Sequence, residues 1–329
     1  MSGEGSNWSA EPEARPPFGD SARTLSRALT ELAELEYRLG DWPAAYMSAV
    51  ESLRRAKLAG LDEETMSALI HVALVEAGLG RSDACRRHAA EAIELSRRHG
   101  SKTVEANARE AIGFLELGLG RLDAAVECLG RVALICAKHS SAWTSAVNWA
   151  QDLAEACIRA DDPVGAQRAL RKLEERARDS GSCVLAAALE RSRAMLAADD
   201  SFEEIFERAL RWAARARQPF EQARTELCFG ERLCRAGQPG KARKFLLDAL
   251  HTFAALNAEP WADRARESLA AAGAYARRDD TATVQGSLER PGWTKPQAVR
   301  RPADTGPPLR GSAESSTRMM PPSSLRSAI

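Results

Sequence analysis

The sequence predicts an all-α protein, an α-solenoid of about six helical hairpins closed by a capping helix, and three observations predict it. The first is a recurring turn phrase. Leu39-Gly40-Asp41, Leu79-Gly80-Arg81 and Leu119-Gly120-Arg121 are succeeded by degenerate copies at Ala160-Asp161-Asp162, Asp199-Asp200 and Ala236-Gly237-Gln238, so the turn residues 40, 80, 120, 161, 200 and 237 lie 40, 40, 41, 39 and 37 apart. A fixed period of this length is the mark of a repeat architecture. The second is an apolar trio after each turn. Positions five, nine and twelve residues on are Ala45, Ala49, Ser52; Cys85, Ala89, Ala92; Ala125, Leu129, Val132; Ala166, Leu170, Leu173; Ile205, Ala209, Trp212; and Ala242, Leu246, Ala249, and 17 of these 18 are apolar. Steps of four and three put each trio on one face of a helix, which must be buried against a neighbour. The third is a small residue seven positions before each turn: Ala33, Ala73, Gly113, Ala154, Arg193 and Gly230 occupy that place. Five of the six allow two helices to approach closely, and at the fifth copy Ala194 stands next door.

Each unit is thus a helix, a tight turn whose Gly or Asp tolerates left-handed backbone angles, and an antiparallel second helix. The small residue before the turn and the alanine after it resemble tetratricopeptide repeats, whose length is about 34 residues. These units are longer, so the solenoid is TPR-like with extended helices.

In chain order, residues 1–20 are rich in Gly, Ser, Glu and Pro and read as a flexible leader. The repeat domain spans 21–275. Its first hairpin runs from Ser21 to Leu58, with Trp42-Pro43 opening the second helix where proline costs little. Glu63 to Arg98 and Thr103 to Lys138 are the two cleanest hairpins, and their second helices end in basic residues, as the helix dipole favours. Ala142 to Ser180, Cys183 to Arg217 and Pro219 to Leu256 complete the six, and a lone helix from Pro260 supplies the polar end cap that a solenoid needs. Residues 276–329 read as a disordered tail: 279–329 carry seven of the 15 prolines and no apolar periodicity.

Composition narrows the function. Charged residues are 28% and hydrophobic residues 44%, while aromatics are only 5%, so the core is mostly alanine and leucine. Formal net charge is zero, which gives no general attraction to nucleic acid or anionic membrane. No run of 18 apolar residues occurs, and Met1-Ser2-Gly3-Glu4-Gly5 lacks the basic and apolar regions of a signal peptide, so a cytoplasmic protein with no membrane partner is expected. The seven cysteines are scattered, with no C-x-x-C pair, and read as reduced, mostly buried thiols.

No catalytic constellation is visible, and neither a cofactor nor a metal is expected. Cys85 and His88 share a helix face, but a zinc site needs three or four ligands and no second pair stands nearby. His71, His99, His139 and His251 lack a visible nucleophile or acid partner. The more useful candidate is the stripe 13, 10 and 6 residues before each turn, on the first helix of each hairpin and away from the small-residue seam. It carries Asn107, Glu110 and Phe114 in repeat three, Asn148, Gln151 and Glu155 in repeat four, and Arg224, Leu227 and Glu231 in repeat six, with Trp143 and Trp149 close by. In TPR-type solenoids this stripe lines the concave face. The expectation is a non-enzymatic scaffold that binds a protein, peptide or small effector there. The other reading of the stripe is an ordinary solvated polar face. Oligomeric state is left open.

One stretch carries a family resemblance. Pro219-Phe220-Glu221-Gln222-Ala223-Arg224-Thr225-Glu226-Leu227, Gly230-Glu231-Arg232-Leu233-Cys234-Arg235-Ala236-Gly237, Ala242-Arg243, Leu246, Ala249-Leu250, Phe253 and Pro260-Trp261-Ala262 resemble the end of the helical-repeat arm in large ATP-binding regulators of the LuxR type. The resemblance covers about a sixth of the chain and implies a sensor arm in transcriptional regulation. It also implies a P-loop ATPase before the repeats and a helix-turn-helix after them. The sequence has no G-x-x-x-x-G-K-[ST], and Gly286-Ser287-Leu288-Glu289-Arg290-Pro291-Gly292-Trp293 stands where the DNA-binding helices would begin. No specific nucleic-acid partner is therefore expected. The alternative is a truncated or frame-shifted member of those regulators: 39 of the 46 basic residues are arginine, which suggests GC-rich coding, and other frames of GC-rich DNA translate to tails of this composition.

Overall fold

The structure, a computed structural model, describes residues 17–139 and 148–282, with side chains described over 20–139 and 148–273. The leader before Pro17, Trp143 and the tail beyond Ala282 lie outside the described residues. The described chain is all helical: α1 (Pro17–Leu39), α2 (Trp42–Leu58), α3 (Asp62–Gly78), α4 (Ser82–His99), α5 (Lys102–Gly118), α6 (Leu122–Lys138), α7 (Trp149–Arg159), α8 (Pro163–Ser180), α9 (Cys183–Leu196), α10 (Phe202–Ala216), α11 (Pro219–Arg235), α12 (Pro239–Ala255) and α13 (Glu259–Ala282). These form six hairpins and a cap.

The turns explain the period. Gly40, Gly60, Gly80, Gly100, Gly120, Asp161, Gly181, Gly237 and Asn257 all have positive φ, so left-handed residues recur at steps of about 20 between as well as within hairpins. After each of the turns at 40, 80, 120 and 257, the chain closes a Schellman motif in which an amide reaches back five residues: Asp41 N to the Glu36 carbonyl at 2.9 Å, Arg81 N to Glu76 at 2.8 Å, Arg121 N to Glu116 at 2.8 Å and Ala258 N to Phe253 at 2.8 Å. The next helix then starts at once. Asp41 and Asp162 cap α2 and α8 by accepting from Ala44 N and Gly165 N.

The hairpins stack in two layers. The first helices α3, α5, α7 and α11 are buried on most sides, whereas second helices such as α4 and α6 bury a single stripe, Cys85, Ala89 and Ala92 or Ala125, Leu129 and Val132. The small-residue seam is where the layers touch. A Cβ on Gly113 would lie 2.6 Å from Leu129, and one on Gly230 would lie 2.6 Å from Leu246. Where the later position is Ala49 or Ala89, the seam residue is Ala33 or Ala73, all buried.

The fifth repeat departs from the expected register. Ile205 is only half-buried and Trp212 is 36% exposed, while Phe202, Phe206, Ala209 and Ala213 form the buried stripe. The connection Ala197–Ser201 is longer and has no left-handed residue, which moves the effective turn from 200 to 201. Counting back seven from 201 reaches Ala194, which is fully buried, so the seam is unbroken in all six repeats.

The solenoid curls far enough for its end to meet its beginning. A Cβ on Gly40 would meet Leu256 and Pro219, one on Gly80 would meet Pro260 at 2.7 Å, and one on Gly118 would meet Trp261. An aromatic hub fills the junction: Tyr37 stacks on Trp42 at 5.0 Å, Trp42 meets Phe220 at 5.2 Å, and Phe220 meets Phe114, Phe253 and Trp261 at 5.6, 5.7 and 5.2 Å. Trp42 and Trp261 are fully buried.

Candidate functional site

Closure turns the concave face into a cavity of about 640 Å³. Its walls come from the first helices in turn. α1 supplies Glu34, Tyr37 and Arg38; α3 supplies Ile70, His71 and Leu74; α5 supplies Asn107, Glu110 and Phe114. Across from them, α7 and the residue before it supply Asn148, Gln151 and Asp152, α8 and α9 supply Arg176, Asp179 and Leu185, and α11 supplies Phe220, Glu221 and Arg224.

Of the stripe residues singled out in the sequence, Asn107, Glu110, Phe114, Asn148, Gln151 and Arg224 are brought together here. The rule of 13, 10 and 6 before the turn holds in the earlier repeats too, since Glu34, Ile70 and Leu74 obey it and line the same space. Glu155 and Glu231 are placed differently. They are not among the lining residues but lie beneath, in an ion-pair network. Trp149 is buried at the start of α7, and Leu227 is core.

The network begins at Arg224, which is fully buried and binds Asp152 and Glu155 at 2.7 Å each. Arg264 on α13 binds Glu155 and Glu231, both at 2.7 Å. Arg191 on α9 donates to Glu221 at 3.0 Å and to Thr225 at 3.1 Å, and Arg159 donates to the Leu117 carbonyl. The Arg224 guanidinium also lies over the Trp261 ring at 5.0 Å. With Arg159 also 3.8 Å from Glu155, four arginines meet four carboxylates, and Arg264 reaches Glu155 across 109 residues of sequence. Such a set costs desolvation, but losing one member leaves a buried charge unpaired.

The carboxyls sort by their partners. Burial works against the Glu155 carboxylate, but the guanidiniums of Arg224 and Arg264 outweigh it and hold that carboxyl well below the usual range. Burial pushes Asp152 up to about 6 despite the pull of Arg224. Glu110 lies well above the ordinary carboxylate range: burial is the main cause and Asp152 adds to it, while the Asn148 amide, which donates to its Oε1 at 2.5 Å, and the charge of Arg176 oppose it.

On the cavity wall the buried Asn107 Oδ1, Gln151 Oε1 and Arg224 Nη2 have no hydrogen-bond partner among the described residues. A buried unpaired polar group costs about 1–3 kcal/mol, and these three share one wall.

Sequence reasoning missed Tyr37, His71, Asp152, Arg176, Phe220 and Glu221. Tyr37 and Asp152 sit outside the three counted positions, and Arg176 and Asp179 come from the end of an outer helix, which the hairpin rule places on the other layer. The signal available was chemical: α11 reads Phe220-Glu221-Gln222-Ala223-Arg224-Thr225, charged residues on what must be an inner helix. Cys85 and His88, weighed as metal ligands, have other partners. Cys85 Sγ is 3.9 Å from the Ala111 carbonyl and His88 Nδ1 is 2.8 Å from Glu76. Among the described residues, no group of three or more His, Cys, Asp or Glu is placed to hold a metal ion, and no helix is long and apolar enough to cross a membrane.

No protein-family model matches the chain, and no curated protein matches it. Among solved structures it is similar to a Rap protein complexed with competence and sporulation factor, at 13% identity over 82% of this chain and 80% of that one, with a TM-score of 0.47. It is also similar to a circular tandem repeat protein with novel repeat topology and enhanced subunit contact surfaces, at 16% identity over 81% and 74%, with a TM-score of 0.25.

Proposed function

We propose that this chain is a ligand-binding helical-repeat protein that holds a small effector or a short peptide segment in the cavity between its first helices. The observation that carries this is a 640 Å³ cavity whose wall includes buried polar atoms from α5, α7 and α11 with no partner. Sites for small ligands fall in the range of roughly 300–1,000 Å³ and combine apolar walls with a few placed polar groups. Tyr37, Ile70, Leu74, Phe114, Leu185 and Phe220 supply the apolar wall here. A whole folded partner does not fit that volume, which favours a small effector or peptide end over a protein surface. The role assigned is binding, with no catalytic step. The resemblance of Pro219–Gly273 to the repeat arm of LuxR-type regulators supports a place for this binding in transcriptional regulation.

The test is a thermal-shift screen of pooled short peptides and metabolites on the full chain, beside a Val184→Trp variant, in which the half-buried Val184 of α9 that lines the cavity is enlarged to fill it. A ligand at a hundred times its Kd adds about 2.7 kcal/mol, or a rise of roughly 5 °C or more for a chain of this size. The expected result is such a rise in the parent and none in the variant. Equal shifts in both would place binding elsewhere. No shift in any pool, with native mass spectrometry showing no co-purified small molecule, would overturn the proposal.

A further inference from the structure

We propose that the cavity holds its ligand by a protonated primary amine, seated between the Glu110 carboxyl and the side-chain carbonyls of Asn107 and Gln151, against the Phe114 ring. This rests on the cavity as a binding site and names the ligand's chemistry.

An ammonium has three N–H donors and no acceptor, and three acceptor-bearing side chains line this cavity. Asn107 and Glu110 lie one turn apart on the inner face of α5. Asn148, whose amide donates to Glu110 Oε1 at 2.5 Å, lies one turn before Gln151, which lines the same cavity. Gln151 is 2% exposed. Its Nε2 donates to Glu221 Oε1 at 3.1 Å, which fixes the amide's orientation and leaves Oε1 buried without a donor. Asn107 Oδ1 is in the same state.

Charge points the same way. Asp152 and Glu155 have Arg224, Glu221 has Arg191, Glu231 has Arg264, and Glu34 has Arg38. Among the described residues Glu110 alone of the lining glutamates forms no ion pair. The other charged and titratable groups that line the cavity are Glu34, Tyr37, Arg38, His71, Asp152, Arg176, Asp179, Glu221 and Arg224, and of the cations among them Arg176 acts on Glu110. An anionic ligand reaching Arg224 would meet Asp152 and Glu221 beside it, whereas an ammonium meets acceptors and an aromatic face, which attracts cations. Burial raises the Glu110 carboxyl well above the usual carboxylate range, against the pull of the Asn148 amide and of Arg176. An arriving ammonium would favour the carboxylate, so binding would lower the Glu110 titration and would tighten as pH rises through it.

A peptide N-terminus, a lysine side chain and a diamine share this chemistry. The test uses the full chain in thermal-shift assays with four probes: lysine-free random tripeptides, the same pool N-acetylated, an N-acetylated pool containing lysine, and alkyl diamines of three to seven carbons. The expected result is a rise of several degrees in at least one amine-bearing arm and none in the acetylated lysine-free pool. The active arm identifies the source. Affinity in that arm should rise with pH in the parent, and Glu110→Gln should weaken it at least tenfold and flatten the pH dependence. Asn107→Leu should weaken the same arm, and it serves should Glu110→Gln not fold. If the acetylated lysine-free pool shifts as much as the free one, the amine assignment is wrong while the cavity reading stands. If no arm shifts, the assignment is overturned, and the wider metabolite screen still decides whether the cavity binds at all.

Discussion

Gly113 and Leu129 form a matched pair, as do Gly230 and Leu246, because a methyl group on either glycine would come within 2.6 Å of the facing leucine. In the first two repeats the same volume is divided as two alanines. This compensation was legible in sequence: counting from the turns gave both members of each pair. Gly113→Ala gains about 1 kcal/mol of helix propensity but overpacks the seam, which costs about 1–3 kcal/mol. Denaturant unfolding should therefore show a net loss in the parent and none in a Leu129→Ala background, where the methyl enters the space the leucine left. The same loss in both backgrounds would contradict the pairing. Glu110, by contrast, was legible only as a position. Its lack of an ionic partner depends on Arg224, Arg191 and Arg264 being committed elsewhere, through contacts spanning 30 to 109 residues.

At the scale of the helix and its turn, left-handed residues set the 20-residue step, and Gly and Asp in the repeated phrase announced most of them. The fifth turn shows the limit of that signal. Asp199-Asp200 looks like a degenerate turn, yet the chain uses Ala197–Ser201 without a left-handed residue, and the buried stripe moves by one. The stripe Phe202, Phe206, Ala209 and Ala213 has helical spacing, so apolar periodicity was the better guide than the turn motif. Two turns of equal backbone conformation also differ in surroundings. Gly80 and Gly100 have φ of 74° and 67°, but a Cβ on Gly80 would lie 2.7 Å from the Pro260 ring, whereas one on Gly100 meets nothing within 4 Å. Alanine at either costs about 1–2 kcal/mol for the left-handed conformation. Gly80→Ala should cost more, by about 1–3 kcal/mol of overpacking, as read from unfolding midpoints. Equal losses would mean that the Gly80 turn and the start of α13 do not meet.

For the whole molecule, the repeat pattern foretold hairpins in a row but not how far the row curls. Curl comes from small rotations summed over six units, and of the residues that stop it only Phe114 stands at a counted position, while Phe220 and Trp261 carry no periodic signature. Closure makes the cavity: without α11 and α13 against repeats one to three, Asn107, Glu110 and Gln151 would face open solvent. It also joins the fate of the ends, since Pro260 and Trp261 pack on the Gly80 and Gly118 turns. Trp261→Ala, monitored by amide hydrogen exchange, tests this most directly. Closure predicts faster exchange around residues 36–42, 76–82 and 114–121, more than a hundred residues away in sequence, as well as in α11 to α13. Faster exchange confined to 219–273 would describe an open solenoid whose repeats touch only their neighbours, and it would contradict the enclosed site.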